Sequence, residues 1–216
     1  MDKKFIIILA VVVLGLGGLF VFAQSKNSKD GTNSSSSNAS VSNHSKGNNT
    51  KNVELLVYGD FECPACAQYF PIEKQVTEKY NDQIKFTFRH YPLDSIHPNA
   101  RGAHRAAEAA GKQGKFFEMH DLLYENRNQW VELSNGMPAF EQFATDLGLN
   151  IEQFKSDFEA EQTNATINAD KKEGNSKDVS GTPTYFVNGK KIDNSQLTSF
   201  EGFSKVIDDA INSSGN

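Results

Sequence analysis

Residues 5 to 23 (FIIILAVVVLGLGGLFVFA) run for 19 positions without a charge. As a helix at 1.5 Å per residue such a run spans about 28 Å, close to the hydrocarbon core of a bilayer. It follows the short basic start Met1-Asp2-Lys3-Lys4, so everything after residue 23 is expected to face out of the cytoplasm. The expectation is a single-pass membrane anchor over residues 1–23, because the apolar region of a signal peptide is usually about 7 to 15 residues long. The alternative is a cleaved signal peptide, with Val21 and Ala23 at usable cleavage positions, which would leave a secreted or periplasmic protein. No cysteine follows the run, so a lipid-modified N-terminus is not expected. A buried core helix is disfavoured, because the adjacent segment supplies no apolar partner.

That segment, residues 24 to 52, holds nine Ser and seven Asn but only two aliphatic side chains. It cannot offset the entropy of folding with buried apolar surface, so it reads as a disordered tether. Its coil dimension is roughly 30 Å, enough to hold a domain clear of a membrane. Asn33, Asn38, Asn43 and Asn48 each begin a glycosylation pattern, but a tract of this composition generates such matches by chance. His44, alone in the tract, reads as solvated.

Residues 53 to 216 are left to build the core. They carry 16 Lys and Arg against 25 Asp and Glu, a net of −9 masked by the basic leader. Nucleic acid is not an expected partner, since binding it needs clustered positive charge. Val53 to Tyr58 is short, aliphatic and β-branched, and Ile84, Phe86 and Phe88 alternate with Lys85, Thr87 and Arg89; both read as strands. Pro64 to Tyr80 between them has helical character, with Pro64 at the first helical position and Pro71 expected to kink it. A strand, helix and strand in this order form a right-handed βαβ unit. From about 97 to 178 the apolar residues recur at helical spacing, with breaks at 111–114, 135–138 and 148–150, which reads as a helical insertion. The stripe of Phe116, Phe117, Met119 and Leu123 reads as ordinary core, and Trp130 as an anchor of the insertion. Strand character returns at Thr184 to Val187, Asn188-Gly189 is the preferred pair for a tight hairpin into Lys190 to Ile192, and Phe200, Phe203, Val206, Ile207, Ala210 and Ile211 form one stripe of a final helix.

The chain has two cysteines, Cys63 and Cys66. In an exported protein cysteines usually act as staples, but a bridge closing only four residues removes little unfolded-state entropy. Cys63 falls where a strand ends and a helix begins, among unpaired N–H groups at the positive end of the helix dipole. That setting stabilises a thiolate. Cys66 lies one turn later, within reach of a disulfide and more buried. The roles follow: Cys63 forms a mixed disulfide with another protein, and Cys66 is displaced or resolves it.

The run Asp60-Phe61-Glu62-Cys63-Pro64-Ala65-Cys66, the helix proline Pro71, Gly181-Thr182-Pro183-Thr184-Tyr185-Phe186-Val187-Asn188-Gly189, and the insertion segments Ala106 to Gly111 and Gly114 to Asp121 resemble the DsbA-like branch of the thioredoxin superfamily. The resemblance covers residues 53 to 212. It implies an α/β thioredoxin fold with the helical insertion between its βαβ and ββα halves, and a protein disulfide oxidoreductase needing no cofactor beyond the Cys63–Cys66 pair. It also implies that Pro183 is a cis-proline packed beside the cysteines, that Thr182 offers backbone hydrogen bonds to an extended substrate, and that Pro64 and Ala65 tune the redox pair.

Two positions depart from the strongly oxidising members of that branch: Ala65 stands where they often have His, and Thr182 where they often have Val. Net oxidation of reduced or unfolded exported proteins remains the expected activity. The reason is that the isomerases of the superfamily dimerise through a folded N-terminal domain, which residues 24 to 52 cannot form; a monomer is also expected. Continued turnover would need a membrane reoxidising partner, DsbB-like or quinone-linked. The alternatives are a reductase or isomerase kept reduced by a membrane electron donor, or a tethered chaperone with an inert CxxC. Asp60 and Glu62 are candidates for tuning the thiol pKa, or else solvated acids beside an exposed turn. His90, His97, His104 and His120 show no metal-ligand spacing, and a CxxC zinc site needs a second ligand pair. Haem attachment is excluded because Ala67 stands where that motif requires His.

Overall fold

The computed structural model describes residues 39–214. The expected anchor, and the tether up to residue 38, lie outside the described residues. Among those described, no helix is long and apolar enough to cross a membrane.

Five strands form one mixed sheet: β1 (His44–Lys46), β2 (Val53–Gly59), β3 (Ile84–His90), β4 (Thr184–Val187) and β5 (Lys190–Lys191), in the spatial order β1-β3-β2-β4-β5. β2 and β3 are parallel, from Val53 beside Ile84 to Gly59 beside His90. They are joined by helix α1 (Pro64–Lys79), which Pro71 occupies without ending. β4 runs antiparallel to β2, and Asn188 and Gly189, both at positive φ (49° and 76°), turn it into β5. This is the two-residue turn whose twist suits a hairpin.

Strand side chains alternate between the two faces of the sheet, which assigns two cores. Val53, Leu55, Val57, Ile84, Phe86, Phe88, Tyr185 and Val187 belong to the main core, together with the buried stripe of α1 and with Phe203 and Ile207 of the last helix, α7 (Phe200–Ser214). Tyr58 and Phe186 on the other face join Tyr91 and Val179 in a smaller cluster. Helix α6 (Glu161–Ser176) reaches that face, where its Glu173 accepts from the Tyr58 hydroxyl at 2.8 Å and from Arg89 Nε at 3.0 Å.

Between β3 and β4 come α2 (Ala100–Gly111), α3 (Phe116–Glu125), a 3₁₀ turn (Arg127–Gln129), α4 (Met137–Asp146), α5 (Ile151–Glu159) and α6. The expected breaks separate α2 from α3, the 3₁₀ turn from α4, and α4 from α5; the further ends at Asn126 and Ala160 are not among them. α2 buries six alanines, side chains small enough to let neighbouring helices approach closely. Phe116, Met119 and Leu123 are buried in the main core, and Trp130 is fully buried with its Nε1 donating to the Leu123 carbonyl at 3.1 Å.

One boundary differs from expectation. Composition places the end of the tether at residue 52, yet His44–Lys46 pairs antiparallel with the edge of β3, His44 beside Phe88. The Ser42 amide and hydroxyl both donate to buried Asp170 of α6, at 2.7 and 2.6 Å. His44 is not simply solvated: its ring stacks on Phe116 and bonds Glu108. Composition misleads here because edge-strand pairing draws on backbone groups that every residue carries, while the partners of Ser42 and His44 lie 64 to 128 residues away.

Candidate active site

β2 ends at Gly59, and Asp60 to Glu62 turn the chain into α1. The Asp60 carboxylate accepts from the Glu62 amide at 2.9 Å, the Leu93 amide at 2.9 Å and His97 Nδ1 at 2.7 Å. The Glu62 carboxylate accepts from the Asn99 amide at 2.7 Å, and its carbonyl from Arg127 Nε and Nη2 at 2.8 and 2.6 Å. Both acids are buried, not solvated beside an exposed turn. Burial, with the charge of Asp60, raises the Glu62 pKa despite the Asn99 amide. Their contacts fix the turn, tying it to the 91–99 loop and to the insertion.

Cys63 is the residue before the first helical position of α1, with extended backbone (φ −64°, ψ 123°), and Pro64 follows at that first position. Pro64 is exposed and Ala65 half-buried. The Cys63 Sγ lies 3.4 Å from the Thr182 carbonyl oxygen, in the loop that carries the cis Thr182-Pro183 bond. Both cysteines are present as thiols.

The two sulfurs have opposite chemistry. The Cys63 pKa is lowered to about 5, chiefly because the Cys66 thiol donates to it. Partial burial opposes the shift; the Thr182 hydroxyl and the backbone N–H groups of Cys66 and Ala65 add to it. The Thr182 hydroxyl is buried with no hydrogen-bond partner among the described residues, so it is available to an ionised sulfur. Cys66 is held well above its ordinary value, by burial first and then by the neighbouring Cys63. One helical turn thus separates a thiolate from a retained proton.

Sequence reasoning missed Glu73. It lies on the buried stripe Cys66, Phe70, Glu73, Val76 of α1, and accepts from the Tyr185 hydroxyl at 2.9 Å. Burial raises its pKa to about 7, against that hydrogen bond. A cavity of about 10 Å³, at the lower limit for a single water, is lined by both Cys66 and Glu73, with Tyr124, Pro183 and Tyr185. The signal was readable: a carboxylate seven residues beyond Cys66 shares its helix face, and Glu73 is the one acid among the buried residues of that helix.

The exposed large apolar side chains among the described residues are Val41, Ile96 and Leu133. Ile96 lies in the loop bound by Asp60, and the Leu133 carbonyl accepts from Asn99, whose amide bonds Glu62. Two of the three therefore sit on loops fastened to the turn before Cys63.

A family model described as thioredoxin, Thioredoxin_4, matches residues 39–209. Among curated proteins, a Na(+)/H(+) antiporter NhaA 1 of Salinispora arenicola is 37% identical over 149 residues, 68% of this chain and 22% of the antiporter. One of the same name from Mycobacterium sp. (strain KMS) is 33% identical over 152 residues, 68% of this chain and 24% of its own length. The chain thus spans about a quarter or less of these curated relatives. Among solved structures, oxidised BdbD from Bacillus subtilis superposes with a TM-score of 0.68 at 20% identity, covering 81% of this chain and 100% of that one. Wolbachia pipientis alpha-DsbA1 gives 0.67 at 18%, covering 79% and 91%. The fold is the DsbA-like thioredoxin fold with a helical insertion.

Proposed function

Because the chain belongs to the thioredoxin family described by that model, we propose that it is a protein thiol-disulfide oxidoreductase that works outside the cytoplasm and oxidises exported proteins. The carrying observation is the asymmetry of the pair: Cys63 ionised near neutral pH, Cys66 buried and protonated one turn behind it. With the pair as a disulfide, a substrate thiolate attacks the Cys63 sulfur, the Cys63–Cys66 bond breaks, and Cys66 leaves with the bond electrons. Its thiolate is poorly tolerated in that burial. Neutral Glu73, on the shared cavity, supplies the proton. A second substrate thiolate then attacks the substrate sulfur of the mixed disulfide, and Cys63 departs as a stable thiolate, a good leaving group. Two electrons pass to the pair, and the substrate gains one disulfide.

Stabilising the Cys63 thiolate favours the reduced pair, which makes its disulfide the oxidant and supports net oxidation. Thr182 beside Cys63, with Ile96 and Leu133 exposed nearby, supports contact with an extended, partly apolar chain. Each turnover leaves a dithiol, so an oxidase needs a membrane reoxidising partner, DsbB-like or quinone-linked; an anchor at residues 1–23 would keep the domain beside it.

Cys66→Ala tests the chemistry: mixed disulfides should accumulate through Cys63 in cells, and a variant that holds partners only non-covalently overturns the enzyme reading in favour of a tethered chaperone. Rapid acid quenching and alkylation tests the direction. A mainly oxidised pair at steady state is expected, while a mainly reduced pair would make the protein a reductase or isomerase fed by a membrane electron donor.

A further inference from the structure

His44 on β1, His90 at the end of β3 and Glu108 on α2 converge on one point, with a donor atom of each within 4.8 Å of the others. We infer that these three residues bind a single divalent ion of the zinc class, which fastens the N-terminal strand to the domain. The site uses neither cysteine.

The Nε2 atoms of His44 and His90 lie 2.6 and 2.7 Å from the same oxygen, Oε1 of Glu108. Glu108 is buried, and its ion-pair partners among the described residues are these two imidazoles, with no Lys or Arg. A divalent ion taking the place of the two bridging protons supplies the charge that this carboxylate otherwise lacks. Two imidazole nitrogens and one carboxylate oxygen suit zinc and its first-row neighbours, and not calcium or magnesium, which prefer all-oxygen shells.

The ligands are oriented in advance. The His44 ring stacks on Phe116 within 5° of parallel. His90 is fully buried, and its other nitrogen, Nδ1, lies 2.6 Å from Nδ1 of His104. That is the outer-shell partner a ligating histidine needs, donating its remaining N–H and so fixing its tautomer. His104 then carries its own proton on Nε2, a buried atom with no hydrogen-bond partner among the described residues, 3.9 Å from Asp60 Oδ1. Metal bonds of about 2.0–2.1 Å set tetrahedral donors about 3.3 Å apart, so the two nitrogen–oxygen contacts of 2.6 and 2.7 Å must open by less than about 1 Å, while the two imidazole nitrogens, which lie within 4.8 Å of each other, settle to the same spacing. His44, the partly exposed ligand on an edge strand, can supply that movement, and its side leaves a position for water and a path of entry.

The test uses the untagged full-length chain in detergent, with Cys63 and Cys66 oxidised and the loss of thiols checked, so that sulfur cannot bind metal. Titration with Co²⁺ is expected to give one equivalent per chain, with visible ligand-field bands and no thiolate charge transfer, displaced by one equivalent of Zn²⁺. His44→Phe keeps the stacking ring and Glu108→Gln keeps the side-chain shape. Each should weaken Zn²⁺ binding at least about 100-fold, beyond the effect of an outer-shell change. In the unaltered protein, Zn²⁺ at 100 times its Kd should slow amide exchange at residues 42–46 by up to about 100-fold, a readout that stands even if a variant fails to fold. Absence of saturable 1:1 binding, affinities unchanged in both variants, or unchanged exchange would each overturn the inference and leave the triad a hydrogen-bonded strut.

Discussion

Replacing Cys66 with alanine tests what holds the Cys63 sulfur ionised. In the reduced pair the Cys63 pKa lies at about 5, and the largest lowering influence is donation from the Cys66 thiol. Alanine removes that donor but keeps the backbone N–H of residue 66, which also points at the sulfur, and it fits the buried position. A hydrogen bond to a charged group contributes about 1.5–3 kcal/mol, and a thiol is a weak donor, which places this one at the low end. At about 1.4 kcal/mol per pKa unit, the loss is about one unit, so Cys66→Ala should titrate at about 6. At pH 5 the thiolate fraction then falls from about a half to about a tenth. The direct assay is thiolate absorbance in the near ultraviolet, followed across the acid and neutral range. Alkylation rates are a poorer measure, because a thiol one unit more basic is about threefold more nucleophilic and offsets much of the change. A midpoint unmoved from about 5 would show that the N–H groups and Thr182 suffice. A midpoint near 8.5, the ordinary thiol value, would show that the helix N-terminus contributes nothing. Either result refutes the division of roles drawn here.

Because Cys63 titrates at about 5 and Cys66 far higher, reduction takes up two protons below about pH 5 and one above it. The reduction potential, measured by equilibration with glutathione, should fall by about 59 mV per pH unit in the first range and about 30 mV in the second; one slope throughout would contradict the asymmetry. Glu73 has a folded pKa of about 7, above its unfolded value, so its favourable contribution is complete below the unfolded value and is lost as pH rises to about 7. Glu73→Gln should therefore gain on wild type by roughly 3 kcal/mol between pH 4 and pH 8, read from urea unfolding of the two reduced proteins; a pH-independent difference would refute the burial of an ionisable acid. A Cβ added to Gly174 of α6 would meet the Tyr91 ring at 2.9 Å and Tyr58 Cδ1 at 3.0 Å. Gly174→Ala should cost about 1–3 kcal/mol with an unchanged denaturant slope, and a neutral result would mean α6 does not pack on that face as described.

Whatever rests on local pattern was legible in the sequence. The period-two run of β3, the Asn188-Gly189 turn and the 3.6-residue stripe of α7 each carry their signal within a dozen residues, and the cysteine pair sits at a strand-to-helix junction that the same patterns define. The position of Pro183 beside the cysteines came from family resemblance, because residues 63 and 183 are brought together by the pairing of β2 with β4. Burial of polar groups was the least readable property. Asp60 and Glu62 resemble solvated acids until the 91–99 loop and the 3₁₀ turn deliver their donors. Glu73 was the exception, since its helix face alone exposes the anomaly.

The N-terminal arm shows why composition separates folded from unfolded segments only at a coarse scale. Residues 39 to 52 bury almost no apolar surface of their own, as their Ser and Asn content requires. They are held by the domain's unmet needs: the outer edge of β3 has backbone groups to satisfy, Asp170 accepts from Ser42 as well as from the His90 amide, and Glu108 takes two imidazoles. A segment that cannot nucleate structure can still complete it, because the entropy lost in ordering a few residues is set against buried acceptors that would otherwise lack donors. The ordered domain therefore begins before residue 53, at a point decided by the edge of β3 and by Glu108 and Asp170, 64 and 128 residues downstream of their partners.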